Sequence, residues 1–295
     1  MHHPALSGID FKTALARLCD GPALLAPLPR WLHAMQQLGI VLGGTPTHLA
    51  GFTRAWRILY SATLLLDHVQ DGDDVGDDWL ASLPVALQYH LAFSAYATAQ
   101  RQLYELTERI APACGARLHD LWSSAVLELA VGQYDDLTAL HRPLVSQPLS
   151  LDAYERLAAQ KTGAVFGLAL GAAVALATDD GALIDAATNA GLVFGMLLQY
   201  RDDLVDAEAQ AAQPAALTLA RAWTTQEGVD TPELAPPAAW GLIYAHYYQA
   251  LGIMLTPLPE PGRAVIQALL YDTFGVPTKL PPPTPTGSPW PVIAA

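Results

Sequence analysis

The segment from Gly195 to Asp206, GMLLQYRDDLVD, constrains the fold more than any other part of the chain. It places Gln199 and the three acids Asp202, Asp203 and Asp206 at positions i, i+3, i+4 and i+7. On a helix these side chains share one face, where neighbouring carboxylates repel one another. Because apolar residues surround the acids, the helix is not simply a solvated surface element. Such a face needs a positive partner, and Mg²⁺ is a hard cation that takes carboxylate oxygens.

A second acidic stretch lies upstream, at the end of an apolar run. Asp67 and Asp71 stand four residues apart, and a further acid-rich stretch, 73–78, follows them. The later acids are typical of a solvated loop. Asp67, by contrast, follows directly on uncharged helical positions, so we expect it to point into the core or its mouth. Two acidic faces on apolar helices indicate a metal cluster held between facing helices of a bundle.

The rest of the chain predicts helices almost throughout. Ala, Leu, Gln, Glu and Arg dominate, and no alternation of period two is bounded by turn residues. We predict one all-α domain over 1–276 and an extended, proline-rich tail over 277–295, with 208–237 irregular. The expected helices are 10–20, 28–39, 45–71, 81–110, 115–141, 150–178, 181–207, 237–254 and 261–273.

Composition narrows the partners and the compartment. Hydrophobic residues make up 52% of the chain and charged residues only 15%, which indicates a large core. The net charge of −13, with no basic stripe, disfavours nucleic acid. Two cysteines fit a reducing compartment. Since there is no signal-peptide pattern and no uninterrupted apolar run of membrane-spanning length, we expect a cytoplasmic protein without a transmembrane segment.

Four elements in the right order resemble the trans-isoprenyl diphosphate synthases, the polyprenyl synthetase family, which is related to class I terpene synthases. Gly195 to Asp206 matches the form GxxxQxxDDxxD. The remaining matches are Lys161-Thr162-Gly163 with Phe166 after it, Tyr154 before it, and Gly132, Gln133, Asp136 and Leu137 for the form GQxxDL. The resemblance covers roughly residues 40 to 220 and implies a single helical bundle around a central apolar cavity.

The first acidic motif departs from the family pattern HDDxxD. Asp67 and Asp71 keep the two positions that face the metal, but His68 replaces the middle acid. Upstream, Arg57 and Tyr60 stand where the family has ExxH.

The resemblance also implies roles for individual residues. We expect an allylic prenyl diphosphate to be bound through Mg²⁺, with Asp67, Asp71 and Asp202 as direct ligands and Asp203 and Asp206 as conditional ones. The catalytic residues would be Lys161, Thr162 and Gln199. The substrate would be bound by Arg57, Ala62, Thr63, Gln133, Phe166 and Arg201.

The same resemblance bears on the size of the substrate and on assembly. Ala62 and Thr63 are small at positions that set the depth of the pocket in this family, and Trp56 lies further down. That arrangement hints at a prenyl chain of fifteen carbons or longer. Members of this family usually form homodimers, and we expect one here.

Basic residues are missing from three places where the family binds the diphosphate of isopentenyl diphosphate. The stretches 43–46, 72–79 and 207–214 contain no lysine or arginine. The second diphosphate would meet negative potential, which should exclude it.

Three interpretations remain. In the first, the protein ionises one prenyl diphosphate and cyclises or hydrolyses it. In the second, it transfers the prenyl group to another acceptor, or to isopentenyl diphosphate held by other arginines. In the third, it is a non-catalytic, isoprenoid-binding subunit of an active synthase. The preserved acidic faces argue against the third interpretation, because in a site that no longer binds a metal nothing would offset the repulsion between the acids.

Overall fold

The computed structural model describes residues 10–20, 28–72, 78–141, 151–209 and 236–275, and every regular element within these ranges is a helix. The all-α prediction is therefore confirmed. In chain order the α-helices are α1 (Phe11–Asp20), α2 (Leu28–Val41), α3 (Pro46–Asp71), α4 (Asp78–Ala81), α5 (Val85–Thr107), α6 (Pro112–His141), α7 (Leu151–Ala158), α8 (Ala164–Ala175), α9 (Gly181–Ala209), α10 (Pro236–Met254) and α11 (Glu260–Phe274).

The predicted helices match the observed ones to within a few residues. Two features were not predicted: the short α4, and a π-helical turn over Ala159–Gly163 that joins α7 to α8. Most of the predicted irregular segment 208–237 and the whole tail 277–295 lie outside the described residues. The division into a domain over 1–276 and a tail therefore stays a prediction.

The core is built on two pairs of helices, α8 with α9 and α3 with α5. Every residue of α8 is buried, because its sequence AVFGLALGAAVA is apolar all round. Small residues dominate α8, and they let its backbone approach α9 closely. The two acidic motifs lie near the C-terminal ends of α3 and α9.

Two helical stretches, Leu151–Ala175 and Gly181–Val205, are long and apolar enough to cross a membrane by length and composition alone. The prediction concerned uninterrupted apolar runs, and both stretches are interrupted by charged residues, Lys161 in the first and Asp185 in the second. In addition, 78% and 56% of their most apolar windows are buried inside the protein. α8 and α9 pack on each other, and core helices of this kind are weak evidence for a membrane span.

Helix α3 ends where the sequence places its last acid. Gly72 adopts a left-handed conformation with φ of 76° and donates its backbone N–H to the carbonyl of His68. Glycine is the residue that takes this conformation at little cost, so the helix stops directly after Asp71. Asp67 and Asp71 therefore lie in the last turns of α3.

A buried hydrogen-bonded network fixes α10 against the rest of the bundle. Tyr247 on α10 donates to Glu155 Oε1 of α7 at 2.5 Å. The hydroxyl oxygens of Tyr200 and Tyr247 are 2.9 Å apart, so Tyr200 of α9 donates to Tyr247. Burial raises the pKa of Glu155, and the hydrogen bond from Tyr247 opposes that rise. The network ties the late helix to the helix that carries the second acidic motif.

Candidate functional site

The π-helical turn presents the Lys161-Thr162-Gly163 element. It covers Ala159–Gly163 and interrupts an otherwise continuous helix from Leu151 to Ala175. A π-turn adds one residue to a helical turn and so changes the direction of the side chains it carries, which is why such turns recur at functional sites. Lys161 and Thr162 lie on it, between α6 on one side and α9 on the other.

Gly132 allows α6 to approach this turn. A Cβ atom at position 132 would lie 2.8 Å from the carbonyl carbon of Gln160, closer than a real side chain could come. Asp136 follows one helical turn later, on the same face of α6. Its Oδ2 accepts a hydrogen bond from Lys161 Nζ at 2.5 Å. The close approach of the helices at Gly132 thus positions Asp136 beside Lys161.

Gly195 plays the same part on α9. A Cβ atom there would lie 2.7 Å from both Gly163 Cα and the carbonyl oxygen of Thr162. Gln199 follows one turn later and meets the side chain of Thr162, whose hydroxyl donates to Gln199 Oε1 at 2.5 Å. The predicted catalytic residues Thr162 and Gln199 are therefore in direct contact.

Lys161 lies among three carboxylates. Its Nζ is 2.9 Å from Asp67 Oδ1, 3.7 Å from Asp71 Oδ2 and 2.5 Å from Asp136 Oδ2. Burial alone would lower the pKa of Lys161, but the charges of Asp67 and Asp136 outweigh it and raise that pKa above its ordinary value. The lysine is therefore charged at any working pH. Sequence reasoning missed a role for Asp136, although its spacing of four from Gly132 is a readable signal.

Asp203 is held by the protein at both carboxylate oxygens. Gln199 Nε2 donates to Oδ1 at 2.9 Å, and the hydroxyl of Tyr154 donates to Oδ2. Asp202, in contrast, lies at the surface with a side chain 65% exposed and Arg201 at 3.5 Å. The side chain of Asp206 lies outside the described residues, though its backbone belongs to α9. Asp202 is thus the more accessible of the two adjacent acids.

Tyr60 is a phenol on which the charges of both acidic helices act. Burial raises the pKa of its phenol, and the charges of Asp202 on α9 and Asp67 on α3 raise it further. Both carboxylates therefore act on one phenol, which stays neutral. Its ring stacks on Trp56 with centroids 5.1 Å apart and meets the edge of Phe166 at 5.5 Å. In the sequence Tyr60 stands out only as a departure from ExxH, with no predicted role.

Aromatic rings fill the interior next to Tyr60. Phe166 lies at their centre, with its ring centroid 4.6 Å from Trp31 and 5.5 Å from Phe194. Trp56 is fully buried and donates its Nε1 hydrogen to the carbonyl of Val165 at 2.7 Å. The interior beside the acidic faces is thus apolar and aromatic.

The remaining residues predicted to bind the substrate lie in different surroundings. Gln133 donates to Gln70 at 3.1 Å, beside the first acidic motif. Ala62 is buried, and Thr63 is half-buried with its hydroxyl donating to the carbonyl of Tyr60. Arg201 reaches the carbonyl of Thr273 and lies over the ring of Phe274.

Arg57 is not brought to the acidic faces. Its guanidinium pairs with Asp20 of α1 at 3.1 Å and, with Arg54 and His33, lines an open depression of about 360 Å³ between α2 and α3. His68 stands next to Asp67, and its Nδ1 has no hydrogen-bond partner among the described residues.

The carboxylates fit a metal ion that arrives with a phosphate. Among the described residues, no three acidic, histidine or cysteine side chains converge closely enough to hold an ion by themselves. Mg²⁺, however, is usually bound by one or two carboxylates together with substrate phosphates and water. Asp67, Asp71 and Asp202 supply oxygens of that kind from two helices, while Lys161 adds a positive charge that a phosphate can use.

An all-α bundle with two acidic faces at one end defines the class of the protein. The sequence pattern of polyprenyl synthetases matches residues 32–215, and the chain belongs to the polyprenyl synthetase family.

Relatives of known sequence and structure agree with this class. A geranylgeranyl diphosphate synthase of Mycobacterium tuberculosis is 33% identical over 168 residues, which cover 55% of this chain and 45% of that protein. The match therefore spans less than half of that relative. Among solved structures, the geranylgeranyl pyrophosphate synthetases of Pyrococcus horikoshii and Geoglobus acetivorans superpose with TM-scores of 0.70 and 0.69 at 16% and 18% identity. Each alignment covers 88% of this chain and 89% of the other, and at this identity it shows the shared fold.

Proposed function

We propose that the protein is a Mg²⁺-dependent prenyltransferase-like enzyme that binds one allylic prenyl diphosphate and ionises it. The observation that carries this proposal is the π-turn between the two acidic helices, where Lys161 pairs with Asp67 of α3 and Thr162 hydrogen-bonds to Gln199 of α9. An allylic diphosphate leaves with several negative charges, and Mg²⁺ would neutralise part of that charge as the bond breaks. Asp67, Asp71 and Asp202 are the residues that would hold the metal, with Asp203 and Asp206 as conditional partners.

The residues of the π-turn would act on the diphosphate and on the charge that it leaves behind. Lys161 presents a fixed positive charge, since its neighbours keep it protonated. Thr162 and Gln199 hydrogen-bond to each other, which fixes their oxygens next to the acidic face. The aromatic residues around Phe166 would pack against the prenyl chain and keep water from the cation.

The site supports one diphosphate better than two. The stretches 43–46, 72–79 and 207–214 contain no lysine or arginine, and Arg57 pairs with Asp20 rather than facing the acids. A second diphosphate would therefore add charge without a base to receive it. The relative from Mycobacterium tuberculosis is a geranylgeranyl diphosphate synthase, so chain elongation is the activity against which this proposal is tested.

The deciding experiment incubates the protein with Mg²⁺ and geranyl, farnesyl or geranylgeranyl diphosphate, with and without isopentenyl diphosphate, and identifies the products. We expect a hydrocarbon or alcohol from the allylic substrate alone. An elongated diphosphate would refute the single-diphosphate site and restore the elongating function. Because Ala62 and Thr63 are small above the buried Trp56, we expect farnesyl or a longer chain to be preferred.

The metal assignment has a separate test in Asp202. Asp202→Ala should abolish Mg²⁺-dependent binding of inorganic diphosphate, measured by calorimetry. Asp185, an exposed acid on the same helix α9, provides the matched control, and Asp185→Ala should bind as the unchanged protein does. Unchanged binding by Asp202→Ala would show that the metal is held elsewhere.

We also propose that the protein forms a homodimer through α5 and α6. Leu127, Val131 and Tyr134 lie at i, i+4 and i+7 on α6, with 67%, 48% and 68% of their surfaces exposed. Phe93 adds a 68% exposed ring on α5, which contacts α6. Such a patch on two long helices is typical of an interface. Light scattering should show a dimer that Leu127→Asp weakens, while Ile253→Asp, on the 77% exposed Ile253 of α10, should leave it intact.

A further inference from the structure

Lys161 forms ion pairs with Asp67 and Asp71, which are also the proposed metal ligands. An ammonium group has three N–H donors, and Asp67, Asp71 and Asp136 surround this one. The lysine side chain is only 13% exposed, so these pairs are poorly screened by water. Three carboxylates face one ammonium group, which offsets their mutual repulsion.

We propose that Lys161 is an internal counter-ion that competes with Mg²⁺ when the metal comes alone and cooperates with it when the metal comes with a diphosphate. This inference rests on the proposed function, because it takes Asp67 and Asp71 as metal ligands. In this proposal Lys161 couples metal binding to substrate binding, in addition to binding the phosphate.

The competition follows from shared oxygens. Lys161 Nζ lies 2.9 Å from Asp67 Oδ1, so a cation that binds this oxygen must displace the ammonium or approach it closely. Two like charges at such short range repel strongly where water is scarce. A lone Mg²⁺ ion therefore has to overcome both the lost ion pairs and the repulsion from the lysine.

The cooperation follows from Asp136. This aspartate makes the shortest of the three contacts, 2.5 Å, and comes from α6 rather than from either acidic motif. The close approach at Gly132 fixes its position against the π-turn. When Asp67 and Asp71 turn to the metal, Asp136 still holds the lysine at the site. The N–H groups thus released can donate to the phosphate oxygens, which removes the repulsion.

Opposite effects on two ligands are the signature of this arrangement. Removing the ammonium should strengthen binding of Mg²⁺ alone and weaken binding of inorganic diphosphate in the presence of Mg²⁺. Coupling between ligand sites commonly amounts to roughly 5–150-fold in affinity. We expect each effect to be at least about fivefold. A residue that served only the fold would move both affinities in the same direction.

The experiment is isothermal titration calorimetry with Mg²⁺ alone and with inorganic diphosphate at saturating Mg²⁺. The proteins compared are the unchanged chain, Lys161→Met, and the control Lys12→Met on the exposed surface of α1. Lys161→Gln, which keeps length and a polar end, repeats the test if the methionine variant does not fold. Lys161→Arg should keep the order of affinities of the unchanged chain, because it keeps the charge.

The outcomes separate the two proposals. Tighter Mg²⁺ binding together with weaker diphosphate binding in Lys161→Met supports the counter-ion role. If the unchanged protein binds Mg²⁺ with diphosphate, but Lys161→Met binds Mg²⁺ alone no more tightly, the inference is overturned and the proposed function stands. If the unchanged protein binds neither ligand, the proposed function fails and the inference fails with it.

Discussion

The contact between Gly195 and the π-turn makes Gly195→Ala the most informative single substitution for the architecture of the site. The added Cβ would lie 2.7 Å from Gly163 Cα and 2.7 Å from the carbonyl oxygen of Thr162. Both atoms belong to backbone in buried helices, so neither can move aside without shifting α9 or the π-turn. Gln199, one turn further along α9, would be carried away from Thr162 in the same movement.

The magnitude follows from two opposing terms. Overpacking a core costs about 1–3 kcal/mol, and contact with backbone on both sides favours the upper part of that range. Alanine in a helix is about 0.8–1.0 kcal/mol better than glycine. We therefore expect Gly195→Ala to lose about 1–2 kcal/mol of unfolding free energy and Mg²⁺-dependent diphosphate binding to weaken with it.

Gly241 is the matched control, because it lies on the exposed surface of α10, where an added Cβ would meet no atom of the described residues within 4 Å. Gly241→Ala should gain up to about 1 kcal/mol, so that the two variants differ by about 2–3 kcal/mol in urea unfolding. Equal stability of the two variants would refute the close approach of α9 to the π-turn. Destabilisation without any change in diphosphate binding would refute its role in placing Gln199.

Two further predictions concern the network that fixes α10. Tyr247→Phe removes the donor to Glu155 and should cost about 1.5–3 kcal/mol in urea unfolding, the range for hydrogen bonds to charged groups. The control Tyr271→Phe, at an exposed position on α11, should cost almost nothing. Equal effects of the two substitutions would mean that the hydrogen bond contributes little. Burial raises the pKa of Glu155 above its ordinary 4.5, so the folded state binds this proton more tightly than the unfolded state, and the group's contribution to stability falls as pH rises through that interval. Glu155→Gln should therefore gain stability relative to the unchanged protein as pH rises above 4.5, and a difference that stays constant as pH rises would contradict the raised pKa.

The helices could be predicted because their signals are local. Gly72 ends α3 through its own left-handed conformation, and Pro46 begins that helix at a position where a missing N–H costs nothing. Composition rich in helix-forming residues indicated the long helices, and the spacing of the acids identified the acidic faces of α3 and α9. These features depend on residues within a turn or two of each other, which is the range that a sequence pattern describes.

The parts that could not be predicted depend on contacts between distant segments. The π-turn forms where Gly132 and Gly195 let α6 and α9 pack closely against residues 159–163. The sequence of that segment contains no pattern that predicts such a turn. Asp136 becomes a partner of Lys161 only through this approach. Arg57 could be placed on α3, but its pairing with Asp20 joins residues 37 positions apart. Spacing therefore predicted which residues share a face, and packing decided which faces meet.

The most direct measurement is the release of inorganic diphosphate from farnesyl diphosphate in the absence of any second substrate. We expect release that requires Mg²⁺, stops on chelation and is lost in Asp67→Asn, because Asp67 pairs with Lys161 on the π-turn that also packs against α9. No release from geranyl, farnesyl or geranylgeranyl diphosphate at saturating Mg²⁺, unless isopentenyl diphosphate is added, would contradict a site that ionises a single allylic substrate.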